Sequence, residues 1–95
     1  MKYYLVCFDI RDHRYRRRLA RLLEGYGERV QYSVFELALR RDAQLHELLA
    51  SIRALQQRHH ETGNIRFYRL TLSCREASFT LDGSPVARFP GLVVA

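Results

Sequence analysis

The sequence predicts an α+β fold in the order βαββαβ, a sheet with both helices on one face and an extension beyond the last strand. Three observations carry this reading. Apolar runs with period-2 alternation occur near residues 2–10, 28–39 and 65–73, the middle one long enough for two strands. Two intervening segments repeat their apolar residues at helical spacing instead. No internal repeat, low-complexity stretch or linker interrupts the 95 residues, which allow one domain with a modest core: 1–73 as the βαββαβ unit and 74–95 as the extension.

Residues 2–10, KYYLVCFDI, are apolar on both alternating sets. Tyr4, Val6, Phe8 and Ile10 share one face; Tyr3, Leu5 and Cys7 share the other, which Asp9 ends. A strand of that kind is central and covered on both sides. Asp12 is placed to cap the next helix, whose buried seam is Tyr15, Leu19, Leu22, Leu23 and Tyr26. Gly25 and Gly27 are its stop signals. In ERVQYSVFELAL, residues 28–39, Val30, Tyr32 and Val34 alternate before Phe35, Leu37 and Leu39 take the opposite parity. That switch calls for a bulge or a very tight turn between two strands. Asp42 is expected to cap the second helix, with Leu45, Leu48, Leu49, Ile52 and Leu55 inward and Thr62-Gly63-Asn64 as terminator. Residues 65–73 make the last core strand, Asp82-Gly83 a turn, and the terminal GLVVA an edge or partner-pairing strand after Pro85 and Pro90.

This is the ferredoxin-like pattern, which leaves one sheet face open. Because the first strand is apolar on both sides, something must cover that face, and a second copy of the chain is the economical candidate. A homodimer is therefore expected. No apolar run is long enough for a membrane span, and the first ten residues lack a signal-peptide cleavage pattern, so a cytoplasmic protein is expected. Cys7 and Cys74 both fall in strand-like segments and are expected as thiols, though spacing alone leaves a bridge between them open.

Charge narrows the partners. The net charge of +6 favours anionic ones. Lys2 is the single lysine, and arginine's planar fork suits phosphate oxygens. Arg11, Arg14, Arg16, Arg17, Arg18 and Arg21 stand against Asp12 alone within residues 11–21. Arg14, Arg17, Arg18 and Arg21 form one helical stripe, with Arg16 on the opposite flank of the apolar seam. Such a stripe is either a solvated face or a phosphate-binding one; mutual repulsion at that spacing favours the second.

Asp9 has two readings as well. It is an ordinary turn residue at a strand end, or, if its face is the dimer face, one of two carboxylates brought together by a two-fold axis. Two such carboxylates suit Mg²⁺ or Mn²⁺. Tyr15 and Tyr26 belong to the core seam, while Phe8 and Phe35 are open to other roles. His59-His60-Glu61 does not read as a metal cluster, because adjacent helical side chains diverge. Ser33 has no neighbouring histidine in sequence that would make it a nucleophile.

Taken together, YYLVCFDIRD, RRRLARLLEGYG and ERVQYSVFEL resemble a family: the small CRISPR-associated nuclease-fold protein of spacer acquisition, the non-integrase partner of the CRISPR integrase ("Cas-two"). The resemblance is specific over about the first forty residues and looser to about Ser73. It implies a ferredoxin-like homodimer with C-terminal strands that pair across protomers. It also implies metal-dependent cleavage of single-stranded RNA or duplex DNA, and a role as the DNA-spanning centre of the integrase complex. By position it assigns the strand-end acid to Asp9, helix arginines to Arg16 and Arg18, and a further arginine to Arg29. Ser33 and Phe35 take the serine and phenylalanine of the YSVF motif, and Phe8 stands where many relatives carry tyrosine. A nuclease of this design would hold its ion between two Asp9 carboxylates, with Arg14, Arg16, Arg17, Arg18, Arg21 and Arg29 on the nucleic-acid backbone. The rival is a non-catalytic dimer that grips duplex DNA while the integrase performs the chemistry. An RNA-recognition module fits less well, since no strand spells an RNP-type aromatic motif.

Overall fold

The computed structural model describes residues 1–84 and Val86; the expected terminal strand at 91–95, with Pro85 and Pro90, lies outside the described residues. Strand β1 (Lys2–Asp9) leads to helix α1 (His13–Glu24), then β2 (Gly27–Gln31), β3 (Val34–Leu39), helix α2 (Asp42–His59), β4 (Asn64–Leu70) and a short helix α3 (Leu72–Glu76). The strands form one antiparallel sheet in the order β2-β3-β1-β4, as the βαββαβ reading requires.

Parity along β1 assigns the two faces. Val6, Phe8 and the following Ile10 point into the helix layer, where they join Tyr15, Leu19, Ala20 and Leu23 of α1, Phe35 and Leu37 of β3, and Leu48 and Ile52 of α2 in one core. Asp12 caps α1 as expected, its Oδ1 accepting from the Tyr15 N–H at 3.0 Å. Gly25, not Gly27, ends the helix. Gly27 instead opens β2, where a Cβ would stand 2.1 Å from the Glu36 carbonyl oxygen, so only glycine lets the two backbones approach this closely. The parity switch resolves into both anticipated devices: a two-residue turn at Tyr32-Ser33 and a register shift between Arg29 and Gln31. β2 is an edge strand, and Val30 and Tyr32 are exposed rather than packed.

Three expectations are corrected. Arg41, not Asp42, is the N-cap of α2: Asp42 is drawn instead into an ion pair with Lys2, and Gln44 Oε1 reaches back to the N–H groups of Arg40 and Arg41. The last strand stops at Leu70 because Thr71 caps a new helical turn, its Oγ1 accepting from the Cys74 N–H at 3.1 Å. Cys74 therefore sits in α3 and not in a strand, and both cysteines are free thiols. The Asp82-Gly83 turn forms as expected, with Gly83 at φ 82° and Asp82 Oδ1 accepting from the Ser84 N–H at 2.9 Å.

The opposite sheet face carries Tyr3, Leu5, Cys7 and Asp9 from β1. In register beside them stand Val34, Glu36 and Ala38 of β3, and Asn64, Arg66, Tyr68 and Leu70 of β4. α3 shelters one end, placing the Arg75 guanidinium 5.3 Å from the Tyr3 ring centre. Toward the Asp9 end exposure increases: Leu5 and Cys7 are half-buried and Asp9 is exposed.

Candidate nucleic-acid and metal site

Asp9 is the last residue of β1, opposite Asn64 in the β4 register. Its position is braced from three sides. The carboxylate of Glu61 accepts from the N–H groups of Arg11 and Asp12, both at 3.2 Å, tying the α2–β4 loop to the β1–α1 loop. Gly63, at φ 66°, lies so close to Ile10 that a Cβ would meet its Cγ1 at 2.8 Å. Arg16 Nη1 donates to the Ile10 carbonyl at 2.8 Å, and the Phe8 N–H donates to the Ser33 carbonyl at 3.1 Å. The carboxylate is thus exposed on a stiff support.

Asp9 shares a shallow depression of about 180 Å³ with Cys7, Phe8, Asn64 and Arg66. Arg66 Nε donates to Asn64 Oδ1 at 3.3 Å and its Nη1 to the Tyr68 hydroxyl at 3.2 Å. The cation on the acid's own face is therefore Arg66, which the sequence reading did not single out. Its signal was the polar parity of IRFYRL, in which Arg66 and Tyr68 alternate with inward Ile65 and Phe67.

The other arginines lie elsewhere. Arg16 and Arg29 converge on Tyr32 at the hairpin turn: Arg16 Nε donates to the Tyr32 hydroxyl at 3.2 Å, and Arg29 Nε donates to the Tyr32 carbonyl at 2.9 Å. Their guanidinium carbons stand 5.7 and 5.1 Å from the Tyr32 ring centre. Arg29 also lies 5.6 Å from the Phe35 ring. The predicted stripe divides, with Arg17 beside Arg16 and Arg29, and Arg18 and Arg21 facing α2. Arg18 Nη1 lies 3.2 Å from His59 Nε2, and His59 stacks on Tyr15 at 5.3 Å between ring centres. Arg14 is exposed on α1. Phe8 and Phe35 stack on each other in the core, their ring centres 6.1 Å apart, so neither ring is open to a base.

Among the described residues no group of three or more His, Cys, Asp or Glu side chains could hold a metal ion. His59 is spent on Tyr15, Glu61 on backbone amides, and His60 sits at the left-handed end of α2. One chain offers one carboxylate at Asp9. A hard divalent cation fits that donor set only when a second carboxylate joins it.

Two charge-bearing carboxyls are perturbed nearby. Asp12 is held below its ordinary value chiefly by the N–H of Tyr15. Glu36, on the open face, is raised by burial, with Arg75 opposing and Glu28, its register partner in β2, adding to the rise.

Fold and site together define the class: a ferredoxin-like α+β protein whose central strand ends in an exposed acid beside an arginine-rich helix. Sequence comparison gives the family. The family model described as "CRISPR associated protein Cas2" matches residues 1–77. The chain is 38% identical over 91 residues to the CRISPR-associated endoribonuclease Cas2 3 of Synechocystis sp., covering 96% of each. It is 41% identical over 90 residues to the CRISPR-associated endoribonuclease Cas2 1 of Chloroflexus aurantiacus, covering 87% of this chain and 88% of that one. Among solved structures, a chain of a partial Cas6-RT-Cas1–Cas2 complex superposes with a TM-score of 0.81 at 40% identity, over all of both chains. Streptococcus pyogenes Cas2 gives 0.70 at 28% identity, over 83% of this chain and 98% of that one. The protein belongs to the CRISPR-associated Cas2 family.

Proposed function

We propose that the protein is a phosphodiester-cleaving endonuclease of CRISPR spacer acquisition, working as a homodimer and assembling with the Cas1 integrase. The observation that carries the catalytic part is Asp9: an exposed carboxylate on a braced strand end, on a half-buried apolar sheet face. A second copy packed on that face would bury Leu5, Cys7 and Val34 and bring two Asp9 side chains together. The names of the Synechocystis and Chloroflexus relatives support cleavage of RNA, and the Cas1–Cas2 assembly among the solved structures supports the partner.

The paired Asp9 carboxylates would hold Mg²⁺ or Mn²⁺, which when bound supplies polarisation of a phosphate oxygen and a more acidic water. The remaining work falls to the chain's own side chains. Glu61, Arg16 and Gly63 keep the strand end in place, so the carboxylate needs little reorganisation to act. Arg66 on the acid's face, and Arg14, Arg18 and Arg21 on α1, set the register of the sugar-phosphate backbone by charge, while Arg17 and Arg29 meet the nucleic acid from a separate group beside the hairpin. Ser33 serves through its carbonyl, which holds the hairpin to β1, and Phe8 and Phe35 serve through packing.

A second reading, a non-catalytic DNA-binding dimer, is favoured by the lack, among the described residues, of any three-ligand group that could hold a metal ion. A cleavage panel separates the two: wild type and Asp9→Ala, on RNA and on duplex DNA, with Mg²⁺, Mn²⁺ or chelator. The nuclease reading expects metal-stimulated cutting that falls to background in Asp9→Ala while binding persists. No cutting by wild type under any condition, with Cas1 assembly intact in Asp9→Ala, would establish the scaffold.

A further inference from the structure

Between α1 and the β2–β3 hairpin lies a concavity of about 230 Å³, lined by His13, Arg16, Arg17, Ala20, Arg29 and Tyr32. It has room for several water-sized groups. Among the described residues its charged wall is made of arginines, with no carboxylate. Three guanidinium groups so close together repel one another unless an anion joins them.

Arg16 and Arg29 are held there by the same residue. The Tyr32 hydroxyl takes Arg16, its carbonyl takes both Nε and Nη2 of Arg29, and its ring lies within cation–π range of both. Arg16 is further tethered to the Ile10 carbonyl, and its Nη2 lies against His13 Nδ1. These bonds use most of the N–H groups of Arg16, so its contribution to the concavity is chiefly charge. The Arg17 side chain makes no hydrogen bond among the described residues, and Arg29 Nη1 is likewise uncommitted among them, so both guanidinium groups have donors to offer. Side chains from two elements thus meet at one point, pre-set by a tyrosine that remains 68% exposed at the rim.

We propose that this concavity is a receptor for the terminal phosphate monoester of a nucleic-acid strand, with Tyr32 as its positioning residue. The inference rests on the nucleic-acid reading above and goes beyond it by assigning an end rather than a backbone. Three cations around one cup suit a group with three oxygens and a charge near −2 better than a singly charged diester running past along a groove. A flat arginine stripe would serve the diester equally well; a cup does not.

The test compares one oligonucleotide duplex bearing 5′-phosphate, 3′-phosphate or hydroxyl ends, by fluorescence anisotropy at fixed salt. One of the two phosphate-ended forms is expected to bind about tenfold tighter than the hydroxyl-ended form. That ratio, not the absolute affinity, is the readout. It should fall to about one in Arg17→Gln, an exposed position that does not threaten the fold, and in Arg29→Gln. Tyr32→Ala should reduce it and Tyr32→Phe should reduce it less, because phenylalanine keeps the cation–π contacts. Arg21→Gln, outside the cup, should weaken all three duplexes alike and leave the ratio in place. Equal binding of all ends by wild type, or a ratio that survives in both Arg17→Gln and Arg29→Gln, would overturn the proposal alone. Failure of every duplex to bind would overturn the nucleic-acid reading and this inference with it.

Discussion

The two faces of the sheet are finished to different degrees. On the helix side Val6, Phe35 and Leu37 have no exposed surface and Tyr15, Leu19, Leu23 and Leu48 close over them, so one chain completes that core. On the other side Leu5, Cys7, Val34 and Ala38 stay half-buried, Tyr68 is 46% exposed, and the candidate catalytic acid stands at the margin. The first face stabilises the protein. The second carries charge, an acid and uncovered apolar area, the features that the proposed dimer interface and active site require. A fold with the helices on one side of a sheet makes this division available without further elements.

Substitutions can break this contrast or sharpen it. The largest expected effect is on the closed face: Phe35→Ala leaves a cavity beneath the helices and opposite Phe8, with a loss of about 3–5 kcal/mol in denaturant unfolding. The same truncation at Leu5 on the open face should cost less in a single chain and show its effect mainly in dimer dissociation. Next comes Gly27→Ala, which drives a methyl group into the Glu36 carbonyl and should destabilise by about 1–3 kcal/mol through the β2–β3 pairing.

A smaller effect should appear at Glu36 and carry a pH signature. Burial raises its folded value above the ordinary 4.5, so the folded state holds the proton more tightly than the unfolded state. Stability at this position is then greatest below 4.5 and falls as pH rises through the folded value. Glu36→Gln should therefore match wild type in acid and surpass it at neutral pH in thermal melts; parallel profiles would remove burial as the cause. The smallest effect has the opposite sign. Asp12 is lowered below 3.8 by its cap bond, so its contribution is complete above that value and fades as pH falls through the folded one. Asp12→Asn keeps a capping side chain and should flatten that acid limb of the melting profile.

Much of this architecture was legible because each local signal agreed with its neighbours. The two-sided apolar pattern of residues 2–10, the Asp12 cap and the parity switch at Tyr32–Val34 each led to the element found. What escaped was whatever depends on pairing between distant segments. Arg66 shares a depression with Asp9 only through the β1–β4 register, and nothing in chain order links residue 66 to residue 9. Asp42 satisfied the local capping rule, yet Lys2, forty positions away, takes its carboxylate. TLSC continued a strand-like alternation and hid the Thr71 cap that turns the chain into α3. The arginine stripe was correct as helix geometry, but α2 and the hairpin divide it into two surfaces.

The central claim is that a second copy of the chain covers the open face and makes neighbours of the two Asp9 residues. It can be tested with Asp9→Cys placed in a chain whose own thiols are removed by Cys7→Ala and Cys74→Ser, treated with a short bis-maleimide. The expected product is a covalent dimer on a denaturing gel, formed at a rate independent of moderate dilution. A chain that stays uncrosslinked while light scattering reports a dimer would place the two acids apart and contradict the account, as would the mass of a single chain.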